Sequence, residues 1–318
     1  MEDIYIGTPN AKQDEFLRCK KKYVAFGGAR GGGKSWAVRC KAKLLALRYA
    51  GIRILLVRRS LAELEANHLA FLRQELADVA EYRAGERQFR FCNGSVLQFG
   101  YCGCDRDLDR YQGAEYDVIF LDEATQLKEQ WMRQIAACVR GVNDFPKRIY
   151  YTCNPGGPGH GYIKRLFIDR RFEDGEQPED YAFIPARVTD NTALLARQPD
   201  YLKTLEALPY KLRRAWLEGR WDVFAGQVFQ EFTDDPDHYD DRRWTHVIRP
   251  FDVPREWNIY RSYDFGYARP FSCGWWAVDH DGCVYRIAEL YGCTGTPDEG
   301  VLWTPERQFA EIRRVEEE

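Results

Sequence analysis

The most constraining feature of the sequence is a glycine-rich segment near its start. It fits the spacing G-x-x-x-x-G-K-[ST] of a phosphate-binding loop. An apolar run at 23–26 predicts a buried strand before it, and 36–50 predicts a helix after it. Glycines let successive backbone N–H groups turn toward an anion, and the helix N-terminus adds partial positive charge. The segment consists of Gly28, Ala29, Arg30, Gly31, Gly32, Gly33, Lys34 and Ser35.

This loop predicts a nucleoside-triphosphate site. In such loops the lysine reaches the β- and γ-phosphates and the hydroxyl residue ligates Mg²⁺. We therefore expect Lys34 to contact the phosphates and Ser35 to contact the metal.

A second informative stretch is the apolar run 118–121, which Asp122 and Glu123 follow directly. Such a run predicts a central strand, and ligands of open α/β sheets lie at the carboxyl ends of strands. We expect Asp122 to hold Mg²⁺ through water and Glu123 to polarise the attacking water as general base. An acidic pair of this kind is common by chance, so its weight comes from the phosphate loop upstream.

Further apolar runs at 52–57, 147–151 and 181–188 predict additional strands. Helices expected between them, at 61–80 and 124–139, make the pattern that of a mostly parallel sheet with helices on both faces.

Two shorter stretches have local interpretations. Residues 88–92 and 95–99 predict a hairpin, for which Asn93 and Gly94 would form a type I′ turn. The polar turn after the 147–151 strand could place Asn154 beside a γ-phosphate, or it could be a plain Asn-Pro-Gly turn.

The second half of the chain changes character. Two helical runs, 200–208 and 210–218, are separated by Pro209. Strands are then predicted at 259–264, 272–278 and 284–290, and a helix at 304–318. We expect three parts: a nucleotide-binding domain over 1–189, a helical linker over 190–225, and a second α/β domain over 226–318.

Bulk properties exclude few functions. No apolar stretch approaches bilayer-spanning length, and the acidic start does not resemble a signal peptide. The ten cysteines include no C-x-x-C pair, which favours reduced thiols and a cytoplasmic protein. The net charge of −3 leaves any nucleic-acid contact to local patches. The basic doublets are interpreted as solvated faces: Arg58 and Arg59, Lys164 and Arg165, Arg170 and Arg171, Arg213 and Arg214.

These motifs together resemble the large subunit of the terminase that packages DNA into tailed-phage capsids. The resemblance rests on their order and spacing over nearly the whole chain. Besides the loop and the acidic pair, the motifs are Leu56–Val57–Arg58–Arg59, Tyr111–Gln112–Gly113, Thr152–Cys153–Asn154–Pro155, Leu217–Glu218–Gly219–Arg220–Trp221, Gly226–Gln227–Val228–Phe229 and Asp264–Phe265–Gly266.

The resemblance implies roles for individual residues. Gln13 is similar to the adenine-contacting glutamine of that family, and Arg30 to a loop arginine acting in cis on the γ-phosphate. The stretch from Thr152 to Asn154 resembles the motif that couples hydrolysis to movement. Asp264 resembles the first metal ligand of an RNase H-like nuclease that uses paired Mg²⁺ or Mn²⁺ ions.

The resemblance also implies a setting. The chain would be an ATP-hydrolysing motor that translocates double-stranded viral DNA into a procapsid, in the cytoplasm of a bacterial host and away from membranes. Its partners would be the portal protein, the terminase small subunit and further copies in a ring. The nuclease half is expected to be truncated, because 54 residues follow Asp264 and later family carboxylates would lie beyond them. We therefore expect ATP hydrolysis without DNA cleavage.

Two alternatives share the phosphate loop and the acidic pair. One is a helicase or recombination ATPase, which would normally carry a second motor domain. The other is a nonenzymatic assembly subunit that uses ATP only to order a ring. The presence of Glu123, a candidate general base, argues against this second alternative.

Overall fold

A computed structural model describes residues 7–222, 232, 234–243, 245–295 and 299–317. The motif at 226–229 lies outside these residues. The chain forms two compact units, Met1–Val247 and Ile248–Glu318. No helix in the described part of the chain is both long and apolar enough to cross a bilayer.

The first unit contains an eight-stranded sheet in the order β3-β4-β5-β2-β6-β7-β1-β8. The strands from β5 to β8 in that order pair in parallel, and β4 and β3 extend the β5 edge by antiparallel pairing. The α/β fold with a mostly parallel sheet is thus confirmed. The strands are β1 (Tyr23–Gly28), β2 (Arg53–Arg58), β3 (Ala80–Arg83), β4 (Gln88–Phe91), β5 (Val96–Tyr101), β6 (Val118–Leu121), β7 (Arg148–Cys153) and β8 (Tyr181–Ala186).

Helices cover both faces of this sheet. The segment after β2 is continuous, because a π-helical turn, Glu65–Leu69, joins α3 to α4. A second π-helical turn, Lys164–Ile168, extends α6. The helices of this unit are α1 (Ala11–Arg18), α2 (Lys34–Arg48), α3 (Leu61–Leu64), α4 (Ala70–Glu75), α5 (Glu129–Ala136), α6 (His160–Ile163), α7 (Thr192–Arg197), α8 (Tyr201–Glu206) and α9 (Tyr210–Trp216).

Alternation along the central strands builds two apolar layers. Phe26 and Leu56 face a cluster with α1 and α2, whereas Ala25 and Val57 face one with α5 and α6. Both faces of these strands are buried, which explains why they are continuous apolar runs in the sequence. The carboxyl ends of β1, β2, β6 and β7 consequently lie along one edge.

Three local predictions differ from the structure. The helix expected over 61–80 ends at Glu75, and β3 begins at Ala80. The expected 124–139 helix is shorter, since α5 begins at Glu129. The hairpin is confirmed, but its turn is not type I′, because Gly94 has a positive φ and Asn93 does not.

The second unit contains a three-stranded antiparallel sheet in the order β11-β10-β9. Helix α10 (Pro305–Glu317) packs on it through Ile312, against Cys273 and Trp275. The nuclease identity of this unit and the three-part division of the chain stay predictions. The strands are β9 (Asn258–Asp264), β10 (Ser272–Val278) and β11 (Val284–Tyr291).

The central strands should dominate the stability of the first unit. Leu56 is fully buried in β2, whereas Leu44 on α2 is 40% exposed. We expect Leu56→Ala to lower the free energy of unfolding by about 2–5 kcal/mol, through lost burial and a cavity. The matched Leu44→Ala should cost less than about 1 kcal/mol. Urea unfolding would measure both, and equal losses would contradict this packing.

Candidate nucleotide site

The phosphate loop connects β1 to α2 at the carboxyl edge of the sheet. Gly28, Gly31 and Gly33 have φ values of +124°, +78° and +75°, which residues with side chains rarely adopt. Gly33 is the N-cap of α2, so the loop ends on that helix's N-terminus. The predicted sequence of strand, loop and helix is confirmed, and the loop has the left-handed glycines that anion-binding loops use.

Lys34 lies at the start of α2 and is buried. Its Nζ donates to the carbonyl oxygen of Ala29 at 2.5 Å and to Oδ1 of Asn154 at 2.7 Å. Burial lowers the pKa of the Lys34 ammonium, and the nearby Glu123 and Asp122 carboxylates partly oppose that shift. Both acceptors are neutral oxygens that a phosphate oxygen could replace.

Asp122 follows β6 and is 1% exposed. The Thr152 hydroxyl donates to its Oδ1 at 2.5 Å, and Nε2 of His68 lies 2.8 Å from its Oδ2. Nε of Arg58 lies 3.2 Å from the same Oδ2, an ion pair whose N–H is not aligned for a hydrogen bond. Burial alone would raise the pKa of Asp122, but His68, Arg58 and Thr152 hold it well below its usual value. The carboxylate is therefore ionised at neutral pH.

Glu123 has a left-handed backbone, with φ of 51°, which is uncommon for a residue with a side chain. Its backbone N–H donates to the Thr152 hydroxyl at 2.9 Å. Its side chain is partly exposed, and Nδ2 of Asn154 donates to its two carboxylate oxygens at 3.0 and 3.3 Å. Such strain is typical of functional sites, where it aims a side chain.

Asn154 consequently bridges Lys34 and Glu123. Thr152 bridges Asp122 and the backbone of Glu123 in the same way. Thr152 lies in β7 and Asn154 directly follows that strand. In the sheet, β7 lies between β1 and β6. The sequence predicted that the phosphate loop and the acidic pair would meet at one edge, and it left Asn154 open between a phosphate neighbour and a plain turn. The structure brings the loop and the pair together and places Asn154 between them.

Part of the loop and two of these side chains, Glu123 and Asn154, line one cavity of about 730 Å³. Lys34, Ser35, Glu123 and Asn154 are in its wall, whereas Asp122 is not part of that wall. The wall also holds Arg30, Arg39, Arg58 and Arg59. This excess of cationic groups suits a polyanion such as a triphosphate.

Arg30 is exposed and is tied to α9 twice. Its guanidinium carbon lies 3.3 Å from the ring centroid of Trp216, and its backbone N–H donates to the Trp216 carbonyl at 2.7 Å. A methyl group built on Gly219 would lie 3.0 Å from the backbone of Gly28. The segment around α9 therefore packs directly on the phosphate loop.

Gln13 is 6% exposed and contacts the loop from α1. Its Nε2 donates to the carbonyl oxygen of Gly33 at 3.1 Å, and its Oε1 accepts from the backbone N–H of Asn10 at 2.9 Å. Both ends of the amide are thus engaged, and a base contact would have to replace one of these bonds. Its adenine role stays a prediction.

Asp264 belongs to the second unit, where it ends β9, pairs in register with Ser272 and is exposed. Across the described residues, no group of three or more histidine, cysteine, aspartate or glutamate side chains is placed to hold a metal ion. Its metal role stays a prediction.

Comparison with protein families decides the assignment. A family model described as "Terminase large subunit, T4likevirus-type, N-terminal" matches residues 25–233, well over half of the chain. The chain belongs to the terminase large-subunit family. This terminase is accordingly a subunit of an ATP-driven DNA-packaging motor, and the helicase and assembly-subunit alternatives are not favoured.

Solved structures of similar fold include the large terminase of a thermophilic bacteriophage. One crystal form is 18% identical, covers 98% of this chain and 75% of that one, and has a TM-score of 0.56. The ADP complex of the same terminase is 17% identical to this chain and has a TM-score of 0.55. The ATP-γ-S complex is 16% identical and has a TM-score of 0.54. Each match covers 97% of this chain and 74% of the solved chain. At these identities the likeness concerns the fold. Comparison with curated protein sequences found no match.

No role in this terminase site was predicted from the sequence for Arg58, His68 or Trp216. The interpretation of Arg58 as part of a solvated doublet is wrong, because Arg58 is 8% exposed and faces Asp122. Its position at the carboxyl end of β2 was a usable signal, since that edge also carries Asp122. His68 and Trp216 gave no signal, because their contacts depend on where separate helices pack.

The buried ammonium of Lys34 should cost stability in the nucleotide-free terminase. Its pKa is lowered, so its burial destabilises the fold at pH 7 and this penalty is relieved as pH rises toward 10.5. We expect Lys34→Met to unfold at the same or a higher temperature than wild type without nucleotide. Differential scanning calorimetry at pH 7 would measure it. A lower melting temperature would mean that the Ala29 and Asn154 bonds outweigh the burial cost.

Proposed function

We propose that this terminase subunit binds ATP with Mg²⁺ at the carboxyl edge of its sheet, hydrolyses it, and uses the cycle to translocate double-stranded DNA into a procapsid. The observation that carries the proposal is the linked network from Lys34 through Asn154 to Glu123, lining one cavity with the phosphate loop. The ADP and ATP-γ-S complexes of the thermophilic phage's large terminase support nucleotide binding at this fold.

The residues present fit a magnesium ion. Magnesium prefers hard oxygen ligands and keeps several of its waters. Asp122 supplies an ionised carboxylate behind the cavity wall, which suits contact through water, and Ser35 supplies a hydroxyl from the wall itself. When bound there, Mg²⁺ would neutralise charge on the β- and γ-phosphate oxygens.

Each residue of the network then has a distinct task. Lys34 bonds phosphate oxygens in place of its two neutral acceptors, so its buried positive charge gains a negatively charged partner. Glu123 accepts a proton from the attacking water, for which its partial exposure and fixed backbone suit it. Asn154 no longer accepts from Lys34 when the nucleotide is bound, but it still donates to Glu123. A phosphate in the loop can therefore change the position of the base through Asn154.

Arg30 would act on the γ-phosphate from within the same subunit. A stabilising arginine of this kind is worth about 10³–10⁵ in rate. The guanidinium of Arg30 stacks on Trp216, and Arg30 lines the same cavity as the loop, Lys34 and Glu123. Gln13 would recognise adenine beside the loop that it already contacts.

The proposed setting follows from the family. The partners would be double-stranded DNA, the portal protein, the terminase small subunit and other copies of this chain in a ring, within the host cytoplasm. Asp264 would correspond to the first ligand of a two-metal nuclease site. Two-metal cleavage needs several carboxylates to balance the metal charge, and the described residues hold no group of three or more histidine, cysteine or carboxylate side chains placed for a metal. We propose that these residues do not cut DNA on their own.

Glu123→Gln tests the choice of general base. The amide retains the shape and, through its one oxygen, one of the two Asn154 bonds, but it cannot act as a base. We expect ATP affinity within about threefold of wild type and a hydrolysis rate lowered by about 10²–10⁴-fold. Nucleotide titration and phosphate release, each with and without double-stranded DNA, would measure these. Turnover that persists in the variant would refute the assignment, and a wild-type rate unaffected by DNA would speak against a motor.

The nuclease proposal has its own test. Purified protein with Mg²⁺ or Mn²⁺ should leave supercoiled plasmid intact on an agarose gel. Metal-dependent nicking that Asp264→Ala abolishes would contradict the proposal. Nicking that survives Asp264→Ala would instead indicate a contaminating nuclease.

A further inference from the structure

His68 is a buried residue of this site that neither the motifs nor the resemblance indicated. It lies on the π-helical turn Glu65–Leu69, is fully buried, and directs Nε2 at Oδ2 of Asp122, 2.8 Å away. π-helical turns occur frequently at functional sites, because the extra residue shifts a side chain out of the helical register.

The unpaired nitrogen of the ring defines its tautomer. Nδ1 of His68 is buried and has no hydrogen-bond partner in the described part of the chain. A hydrogen on Nδ1 would be a buried donor without an acceptor, whereas a hydrogen on Nε2 is donated to the carboxylate and leaves only a lone pair unpaired. The ring is therefore set to donate from Nε2 to Asp122.

This donation competes with Arg58 for the same oxygen. Arg58 Nε lies 3.2 Å from Oδ2 without hydrogen-bond alignment, while Thr152 holds Oδ1. If His68 did not donate, Oδ2 would be free to swing toward the guanidinium and form a closer ion pair. The carboxylate would then be held by a resident cation and less available to a metal ion.

Two arginines hold the π-helical turn and the helix α3 that leads into it. Arg39 on α2 donates to the carbonyl oxygen of Asn67 at 2.8 Å, and Nη1 of Arg58 donates to the carbonyl oxygen of Glu63 at 3.1 Å. Because α2 also carries Lys34 and Ser35, one helix supplies the loop contacts and fixes the turn that holds His68.

We propose that His68 is a positioning residue that aims the Asp122 carboxylate at the metal bound with nucleotide. This inference rests on the proposed function, in which Asp122 holds Mg²⁺. Residues that orient metal-binding side chains typically change metal affinity by about 10–100-fold when they are replaced.

Two replacements of His68 separate positioning from packing. His68→Leu fills the space with an apolar side chain and removes the donor, whereas His68→Gln places an amide N–H at the position of Nε2. Leu72→Ala, on α4 just beyond the turn, is the matched control, because Leu72 is fully buried and its loss destabilises the fold through packing.

Electron paramagnetic resonance of Mn²⁺ in the presence of ADP gives a readout independent of turnover. We expect His68→Leu to weaken Mn²⁺ affinity about 10–100-fold, His68→Gln to recover most of it, and Leu72→Ala to leave it unchanged. ADP affinity measured in EDTA should be the same in all three. Equal Mn²⁺ affinity in wild type and His68→Leu would overturn the inference, as would a loss that Leu72→Ala reproduces.

Asp122→Asn tells the two proposals apart. If it binds Mn²⁺ with ADP as tightly as wild type does, the proposed metal role of Asp122 fails. If it loses binding while His68→Leu retains it, only the inference about His68 fails. Nitrogen-15 NMR adds a direct check: the His68 signal, identified by its absence in His68→Leu among five histidines, should report hydrogen on Nε2. Hydrogen on Nδ1 would contradict the geometry.

Discussion

The site depends on the strand that separates the phosphate loop from the acidic pair. β7 lies between β1 and β6 in the sheet, so the turn after it falls between Lys34 and Glu123. Asn154 links the Lys34 and Glu123 side chains, and Thr152 links Asp122 to the backbone of Glu123. A phosphate group that bonds Lys34 in place of Asn154 would free the Asn154 carbonyl oxygen beside the base, which would tie occupancy of the loop to the position of Glu123.

Charge compensation explains how this many ions can lie at one edge. A buried charge without a partner would cost several kcal/mol, and here each has a partner. Asp122 is balanced by Arg58 and hydrogen-bonded by His68 and Thr152, while Lys34 relies on two neutral oxygens. The positive charge of Lys34 is thus the least neutralised charge in the network. A group that binds an incoming polyanion needs such a charge.

Much of the fold and part of the site could be predicted from the sequence. The glycine loop, the apolar strands and the acidic pair are local patterns, so their positions along one sheet edge followed from parallel topology. The burial of Arg58 could not be predicted from charge alone, because arginine doublets usually stay solvated. His68 is beyond such reasoning, since its contact with Asp122 depends on a π-helical turn with no marker in the sequence. Asn93 shows the opposite case: a strong turn signal located the hairpin but not its turn geometry, and the Asn93 side chain bonds the Ala46 carbonyl on α2.

Thr152 limits which residues this position can accept. A hydroxyl has a single hydrogen, and Thr152 gives it to Asp122 while its oxygen receives the N–H of Glu123. Valine has nearly the same shape and would fill the space, yet it would orphan a donor and an acceptor together. Serine keeps both bonds. Among natural side chains of this size, only serine and threonine fit position 152. The reason is that each supplies one donor and one acceptor, not that each has the right volume.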